Sequence, residues 1–292
     1  MKPNYYKNIV RYKMRAIAKK AGLRLLAFAG SNPRDTFWDL NGILKWQPHN
    51  SGEDWFINNC LPAMLSGIEN PGILDVGANI GTYSKSLAEA LPQACCYALE
   101  PNPKAFLLLS QNATQTPNII PLNLGASNQK SELTLYVYAN ETHTEHASIY
   151  RGVFQDLHGD STPTEVVCQL ERIDDLVEHH TLPNAIHFIK VDTEGHELQA
   201  LQGAHRTIHQ GHVRVVQFEF NEMNVISRVF LKDFYDFFGR DWQFYRLNTQ
   251  NLIPLGPYDS ANEIFKFHNI IAINTRKCSA QALSVIAEKS HQ

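Results

Sequence analysis

The chain has 292 residues, 43% of them hydrophobic, with 26 basic against 29 acidic residues and a net charge of −3. A chain of this size can bury a large core, which predicts one large α/β domain with extensions. Five cysteines without a CxxC spacing, with Cys95 and Cys96 adjacent, indicate reduced thiols and a cytoplasmic location. Because no apolar run reaches about 18 residues and no apolar leader begins the chain, we expect neither export nor membrane spanning.

The first 34 residues form a basic arm: they hold nine of the 26 basic residues and no acidic one, so the remainder carries 17 basic against 29 acidic residues, a net of −12. Apolar residues recur at helical spacing among its lysines and arginines, which predicts a basic amphipathic helix. Such a helix can lie on an anionic membrane surface, for example the inner membrane surface, or dock on an acidic partner. It can also pack on the acidic remainder of its own chain. Nucleic acid is not expected as a partner, because the basic residues stop where the folded body begins.

Strands and helices alternate along the body of the chain, which predicts right-handed crossovers and a mostly parallel sheet covered on both faces. We predict strands at 72–76, 94–99, 119–124, 186–191, 213–220, 242–247 and 270–274, and helices at 82–91, 104–113, 173–179, 198–209 and 231–238. The last two strands fit the antiparallel end of a seven-stranded sheet.

The alternation breaks between the third and fourth strands. Residues 132–138 alternate with period two, residues 139–163 are polar, and residues 166–170 are again typical of a strand. This pattern predicts a β-ribbon or lid inserted at about 131–170. We therefore divide the chain into a basic helical extension and lead-in at 1–70, a main domain at 71–275, and a C-terminal tail at 276–292.

A glycine-rich turn, LDVGANIGTYS, follows the first strand. Asp75 ends that strand, Gly77 and Gly81 bracket the turn, and Asn79 lies between them. Glycines here allow a positive φ and let a ligand approach the backbone closely. A nicotinamide-binding loop prefers GxGxxG, and the middle glycine is missing from this turn.

Glu100 lies at the end of the second strand, where a carboxylate can accept hydrogen bonds from both hydroxyls of a ribose. The glycine-rich turn together with this acid predicts a site for S-adenosylmethionine. The turn at 125–127, with Ser127, is expected near the adenine.

Several stretches resemble the FkbM family of S-adenosylmethionine-dependent methyltransferases: ILDVGANIGTYS, ALEPNP, NLGASNQKSELTLYV, IHFIKVDTEGHELQALQGA and VVQFEFNE. The resemblance covers roughly residues 73–274 in order, and IKVDTEGHE is its most specific piece. It implies a class I methyltransferase fold and O-methylation of hydroxyls on sugars or polyketides. The segment FNEMNVISRVFLKDFYDFF is similar to the branch of the family found beside glycan-assembly enzymes.

The stretch IKVDTEGHE places Asp192 at the end of the fourth strand, at the sheet edge where open α/β folds bind ligands. Methyl transfer from a sulfonium requires the enzyme to align an acceptor and to help remove its proton. Asp192 and His196 are the candidates, with the histidine as base or as a solvated residue of the first helical turn. Glu194 and Glu197 are expected to serve a helix N-terminus.

Glu219 and Asn221 lie near the end of the fifth strand. Adjacent strands lie about 4.8 Å apart, so Asp192, Glu219 and Asn221 could hold a divalent cation, Mg²⁺ or Mn²⁺, that lowers the pKa of the acceptor oxygen. Alternatively, Glu219 completes the acceptor site by binding sugar hydroxyls. The spacing excludes a zinc protease, since HELQA lacks the second histidine of HExxH. The pair His143 and His146 has ligand spacing but lies in a polar loop.

Two other functional classes stay open on the sequence alone. One is a nicotinamide-dependent oxidoreductase, which the missing glycine disfavours. The other is a non-catalytic binding module, which the ionisable cluster at the edge of the sheet disfavours. We predict an O-methyltransferase acting on a sugar, a glycan or a related small molecule.

Overall fold

The computed structural model describes residues 3–47, 50–137, 147–148 and 164–290. The helices are α1 (Pro3–Phe28), α2 (Pro33–Leu40), α3 (Glu53–Asn59), α4 (Leu61–Met64), α5 (Thr82–Ala90), α6 (Pro103–Ala113), α7 (Ile173–Glu178), α8 (Glu197–Gly203), α9 (His205–His209), α10 (Met223–Ser227), α11 (Leu231–Phe238) and α12 (Ala280–Lys289). The strands are β1 (Gly72–Val76), β2 (Cys95–Leu99), β3 (Ile119–Leu122), β4 (Gly125–Ala126), β5 (Ser131–Val137), β6 (Ala147–Ser148), β7 (Thr164–Glu171), β8 (Ile186–Val191), β9 (Val215–Phe220), β10 (Trp242–Leu247), β11 (Leu252–Pro254) and β12 (His268–Asn274).

The main sheet has eight strands in the order β11-β10-β12-β9-β8-β1-β2-β3. The five strands from β9 to β3 are parallel, whereas β12, β10 and β11 pair antiparallel at the other end. The predicted parallel body and antiparallel end are confirmed, but the predicted count of seven strands is wrong. The added strand is β11, only three residues long and ending in Pro254. So short a run shows no alternation, and its pairing with β10 depends on the turn between them.

A second sheet of four strands, ordered β4-β7-β5-β6, lies where the alternation breaks. β5 and β7 pair antiparallel from Ser131 opposite Leu170 to Val137 opposite Thr164. The predicted β-ribbon is therefore confirmed. His143 and His146 lie outside the described residues.

The predicted helix at 198–209 is divided into α8 and α9. Gly203 is the last residue of α8, and it lies so close to the backbone of Ser127 that a Cβ on it would overlap the Ser127 carbonyl oxygen. This contact ties α8 to the segment after β4. The helical spacing of residues 198–209 is continuous, so the sequence alone does not predict this contact or the break between the two helices.

Apolar side chains cover the sheet on both faces, as expected for parallel strands. One cluster packs α8 and α11 on the sheet, and Phe218 stacks on Phe234 with ring centroids 4.3 Å apart. The other includes Phe56, Leu61 and Met64, all fully buried, from the lead-in, which is the segment from residue 35 to residue 70. The lead-in therefore contributes to the core of the domain.

The side chains of the N-terminal helix α1 are described at residues 14–15 and 18–28. None of these is buried, and Leu25 and Phe28 are 69% and 94% exposed. The apolar residues whose spacing predicts the amphipathic face, Ile9, Tyr12, Ala16 and Ile17, lie outside the residues with described side chains, so packing of this helix on its own domain stays a prediction. In the part of the chain that the structure describes, no helix is long and apolar enough to cross a membrane.

Candidate active site

A cavity of about 650 Å³ opens at the carboxyl ends of β1, β2, β8 and β9. Parallel strands end together at this edge, which is where open α/β sheets bind ligands. The residues predicted for the site that line it are Gly77, Asn79, Glu100, Asp192, His196, Glu219 and Asn221. The topology therefore brings the donor-side and acceptor-side candidates into one cavity.

The turn after β1 adopts left-handed backbone at Gly77 (φ 84°) and at Asn79 (φ 50°). A Cβ on Gly77 would overlap the carbonyl oxygen of Asp192, so only glycine allows this close approach. The Asp192 N–H also donates to the Val76 carbonyl, 2.9 Å away. The glycine-rich turn and Asp192 are thus held in backbone contact.

Glu100 joins that turn to the end of β2. Its carboxylate accepts one backbone N–H on each oxygen, from Asn79 at 2.8 Å and from Asn102 at 2.7 Å. Burial raises the pKa of Glu100 to about 7, although the two N–H donors lower it. Each carboxylate oxygen keeps a further lone pair, so Glu100 can still accept two hydroxyl groups from a ligand.

Three residues predicted to bind the cofactor, Asp75, Gly81 and Ser127, are not among those lining the cavity. Asp75 is buried beneath the turn, where it accepts a 2.5 Å hydrogen bond from the hydroxyl of Ser84. Burial raises its pKa to about 6. Gly81 caps the start of α5. Asp75 and Gly81 therefore support the turn from behind.

A buried ammonium group lies beside Asp192. The side chain of Lys190 is 3% exposed, and its Nζ lies 2.9 Å from Asp192 Oδ2 and 3.8 Å from Glu53 Oε1. Burial acts to lower the pKa of this ammonium, but the carboxylates of Asp192, Glu53 and Glu219 outweigh burial and hold it above its usual range. Lys190 therefore stays charged and orients Asp192.

Two consecutive hydrogen bonds link Glu53 of α3 through Gln217 of β9 to Tyr83 of α5. Glu53 Oε1 accepts from Gln217 Nε2 at 2.8 Å, and Gln217 Oε1 accepts from the Tyr83 hydroxyl at 2.7 Å. Lys190 also lies over the Tyr83 ring, 5.1 Å from its centroid. These contacts connect α3, α5, β8 and β9 around the ammonium group of Lys190.

Glu219 and Asn221 line the cavity beyond Asp192. Burial, reinforced by the nearby Asp192 carboxylate, raises the pKa of Glu219 well above its usual range. The Asn221 side-chain oxygen accepts the Met223 N–H at 2.8 Å, and its Nδ2 donates to Glu219 over 3.4 Å. Asn221 thus caps the turn into α10, and its oxygen is already engaged.

The predicted metal ligands Asp192, Glu219 and Asn221 all line the cavity, and metal binding there stays a prediction. Across residues 3–47, 50–137, 147–148 and 164–290, no group of three or more His, Cys, Asp or Glu side chains is placed to hold a metal ion. The cation that faces Asp192 is the ammonium of Lys190. The sequence contains a signal for this ion pair. Lys190 lies inside the apolar run IKV, two positions before Asp192, so both side chains lie on the same face of the strand.

His196 lies at the N-cap of α8, half-buried in the cavity wall. Its Nε2 is 3.0 Å from the Ser127 hydroxyl, and its Nδ1 has no hydrogen-bond partner in the described part of the chain. Burial lowers its pKa to about 4. The imidazole is therefore neutral near pH 7, and Ser127 orients it.

Glu197 stabilises the turn that presents His196. This buried carboxylate accepts the N–H groups of Thr193 and Gly195, each at 3.0 Å. The turn needs such support because Glu194 and Gly195 both adopt left-handed backbone, with φ of 52° and 100°. Glu197 lies in the first turn of α8, as expected, and its role is structural.

Sequence reasoning missed the wall that comes from the lead-in and from the loop before β12. This wall includes Leu44, Trp46, Gln47, Glu53 and Phe267. No strand end or motif marks these residues in the sequence. They reach the cavity only through tertiary packing.

Comparison with known proteins agrees with this geometry. The sequence model of the family described as the methyltransferase FkbM domain matches residues 75–244, more than half of the chain. The chain belongs to the methyltransferase FkbM domain family. Membership confirms the predicted resemblance, and it favours methyl transfer over nicotinamide chemistry.

Two curated relatives of the FkbM domain are methyltransferases by name. The chain is 32% identical over 145 residues to the hexuronic acid methyltransferase AglP of Haloferax volcanii, covering 48% of this chain and 53% of that protein. It is 29% identical over 158 residues to the methyltransferase sdnD of Sordaria araneosa, covering 46% of this chain and 60% of that protein. The chain thus spans only 53% and 60% of the length of these relatives.

Solved structures show more distant likenesses to the FkbM domain. The fibrillarin of Aeropyrum pernix with natively bound S-adenosyl-L-methionine is 13% identical, with a TM-score of 0.38 over 75% of this chain and 76% of that one. A precorrin-6y C5,15-methyltransferase from Geobacter metallireducens is also 13% identical, with a TM-score of 0.38 over 70% of this chain and 80% of that one. Likeness at this level carries no argument about substrate or mechanism.

Proposed function

We propose that the protein is an S-adenosylmethionine-dependent O-methyltransferase that acts on a hydroxyl of a sugar or glycan. The observation that carries the proposal is Glu100, a buried carboxylate in the cavity wall beside the left-handed turn of a methyltransferase family member. The sugar acceptor is supported by the name of one relative, a hexuronic acid methyltransferase.

The residues present fit the methyl donor. Glu100 keeps a lone pair on each oxygen for the two ribose hydroxyls, and Gly77 and Asn79 line the adjoining turn. The acidic wall suits a ligand that carries a positive sulfonium. When bound, S-adenosylmethionine supplies a methyl group on that sulfonium, which is already an activated electrophile.

We further propose that His196 takes the proton of the acceptor hydroxyl. If Nε2–H donates to Ser127, Nδ1 keeps its lone pair. Because Nδ1 is buried in the structure described, the proposal requires the imidazole to turn this atom towards the acceptor when the acceptor binds. Asp192, held by Lys190, orients the acceptor, and Glu219 completes the site. The low pKa of His196, about 4, keeps the imidazole free of solvent protons before the acceptor binds.

Calorimetric titration of S-adenosylmethionine into a Glu100→Ala variant tests the donor site. Loss of two charge-assisted hydrogen bonds, each about 1.5–3 kcal/mol, should weaken binding by about a hundredfold or more. Glu89→Ala is the matched control, since Glu89 is exposed on α5, outside the cavity lining, and its carboxylate lies 3.8 Å from the Lys85 ammonium. Undiminished affinity in a Glu100→Ala protein with a normal melting temperature would refute the assignment.

Methyl transfer to a panel of nucleotide sugars, glycolipids and glycans tests the reaction itself. Turnover of any hydroxylated member supports the proposal. Donor binding without turnover of any acceptor, in protein of confirmed fold, would favour the non-catalytic binding module instead.

We also propose that residues 1–34 hold the protein at an anionic membrane surface. The combination of exposed Leu25 and Phe28 with nine basic residues favours a bilayer over an acidic protein partner. A protein lacking residues 1–34 should keep its donor affinity but lose binding to anionic vesicles, and salt should weaken the full chain's binding. If the full chain ignores anionic vesicles, the membrane proposal is wrong.

A further inference from the structure

One wall of the cavity is aromatic and comes from outside the strand ends. Trp46 lines the cavity while 57% exposed, and it meets Phe267 edge to face with ring centroids 6.5 Å apart. An indole that is this open within a cavity wall offers a flat apolar surface to a ligand.

This aromatic wall is built into the fold. The Leu44 N–H donates to the Phe267 carbonyl over 2.8 Å, which joins the lead-in to the loop before β12. Leu44 itself has left-handed backbone, with φ of 60°, a conformation that a non-glycine residue keeps only when its surroundings hold it. On the other side, a Cβ on Gly42 would overlap the Leu247 carbonyl oxygen, so the segment is pressed against the end of β10. The segment that carries Trp46 is therefore held in place by backbone contacts with Phe267 and Leu247.

The rest of the wall is acidic. Six carboxyl side chains line the cavity, and the lining residues in the described part of the chain include no lysine or arginine: the six are Glu53, Glu100, Asp192, Glu194, Glu219 and Glu222. The nearest buried ammonium, Lys190, is already paired with Asp192 and Glu53. Carboxyl groups bind hydroxyl groups well, whereas the described lining offers an anion neutral donors such as Gln47 and Thr193 rather than a lysine or arginine.

We infer that the space beside Trp46 is the acceptor subsite and that it takes an uncharged, hydroxylated ring, a neutral sugar, rather than a uronate or a phosphorylated sugar. The ring's C–H face would lie on the indole, whose face carries partial negative charge, while its hydroxyls meet the carboxyl wall. An acidic sugar would meet these carboxyl groups, and no lysine or arginine among the described lining residues would pair with it; the ammonium of Lys266 lies outside that lining and faces Glu222 over 3.9 Å. This inference rests on the proposed function and sets the chain apart from its relative named for hexuronic acid.

Saturation-transfer NMR with the full chain and S-adenosylhomocysteine tests the inference, using methyl glycosides of glucose, galactose and mannose beside those of their uronic acids. We expect neutral members to bind at millimolar concentration and each uronate to bind at least about tenfold more weakly than its neutral counterpart. Trp46→Ala should weaken the neutral glycoside about fivefold to tenfold, and Trp46→Phe should retain most of the affinity. Trp38→Ala is the matched control, since Trp38 is a partly exposed indole outside the cavity lining.

Three outcomes would overturn the inference while the donor still binds. These are a uronate that binds as tightly as its neutral counterpart, a Trp46→Ala protein that binds like the unmodified chain, or failure of every neutral glycoside to bind. Loss of S-adenosylhomocysteine binding itself would instead refute the proposed function. A charge reversal adds a reciprocal check, because Glu222→Lys should shift the preference towards the uronates.

Discussion

Replacing Lys190 by methionine removes the only ammonium that is paired with Asp192 and Glu53 in the described structure, at nearly constant side-chain length. Breaking a buried ion pair on one side typically costs about 3–5 kcal/mol. The two partners keep some contact with water, with side chains 31% and 26% exposed, so we expect the lower end, about 3 kcal/mol at pH 8.

The loss of unfolding free energy in the Lys190→Met variant should depend on pH. Burial already raises the pKa of Glu53, and Lys190 lowers it, so removing the ammonium raises it further. Between the ordinary pKa of 4.5 and that raised value, the folded variant binds more protons than the unfolded chain. Its free energy of unfolding therefore falls as pH rises through this window, by up to about 1.4 kcal/mol per pH unit for one proton.

Urea unfolding of the Lys190→Met variant at pH 5 and pH 8 measures both effects. We expect a loss of about 3 kcal/mol at pH 8 and clearly less at pH 5, with part of the loss restored in the double variant Lys190→Met, Glu53→Gln. Lys85→Met is the control, because its pair with Glu89 is exposed and should matter by less than about 0.5 kcal/mol. An equal loss at both pH values, or a loss below about 1 kcal/mol at pH 8, would refute this account of the lysine.

Three further predictions concern turnover and the donor. His196→Ala should lower turnover by about a hundredfold or more and leave donor affinity nearly intact, whereas full activity would leave Asp192 as the remaining candidate base. Because the pKa of Glu100 is about 7, raised by burial, affinity for S-adenosylhomocysteine should increase about tenfold from pH 6 to pH 8 as the carboxylate ionises. The same increase in a Glu100→Gln protein would contradict that cause. A chelator should leave turnover unchanged, because Lys190 faces Asp192 where an ion was predicted; loss of turnover that Mg²⁺ or Mn²⁺ restores would reinstate the ion site at Asp192 and Glu219.

The sequence alone determined the features that depend on neighbours along the chain. Period-two and helical spacing predicted most strands and helices, since which face of an element is buried shows directly in its residue pattern. Gly77 and Glu100 could be predicted to lie at the cavity from the sequence, because each directly follows a strand and the carboxyl ends of parallel strands lie at the same edge of the sheet. The alignment of Asp192 with that edge followed from the same rule.

Only the tertiary structure decided which side chains meet. Glu53 lies 164 positions from Gln217 and yet shares a hydrogen bond with it, and Ser127 lies 69 positions from the His196 ring that it contacts. Such pairings depend on how helices and loops pack on the finished sheet, and no local period encodes that. The pairing of the Lys190 ammonium with both Asp192 and Glu53 is a third case, because Glu53 reaches Lys190 only through tertiary packing.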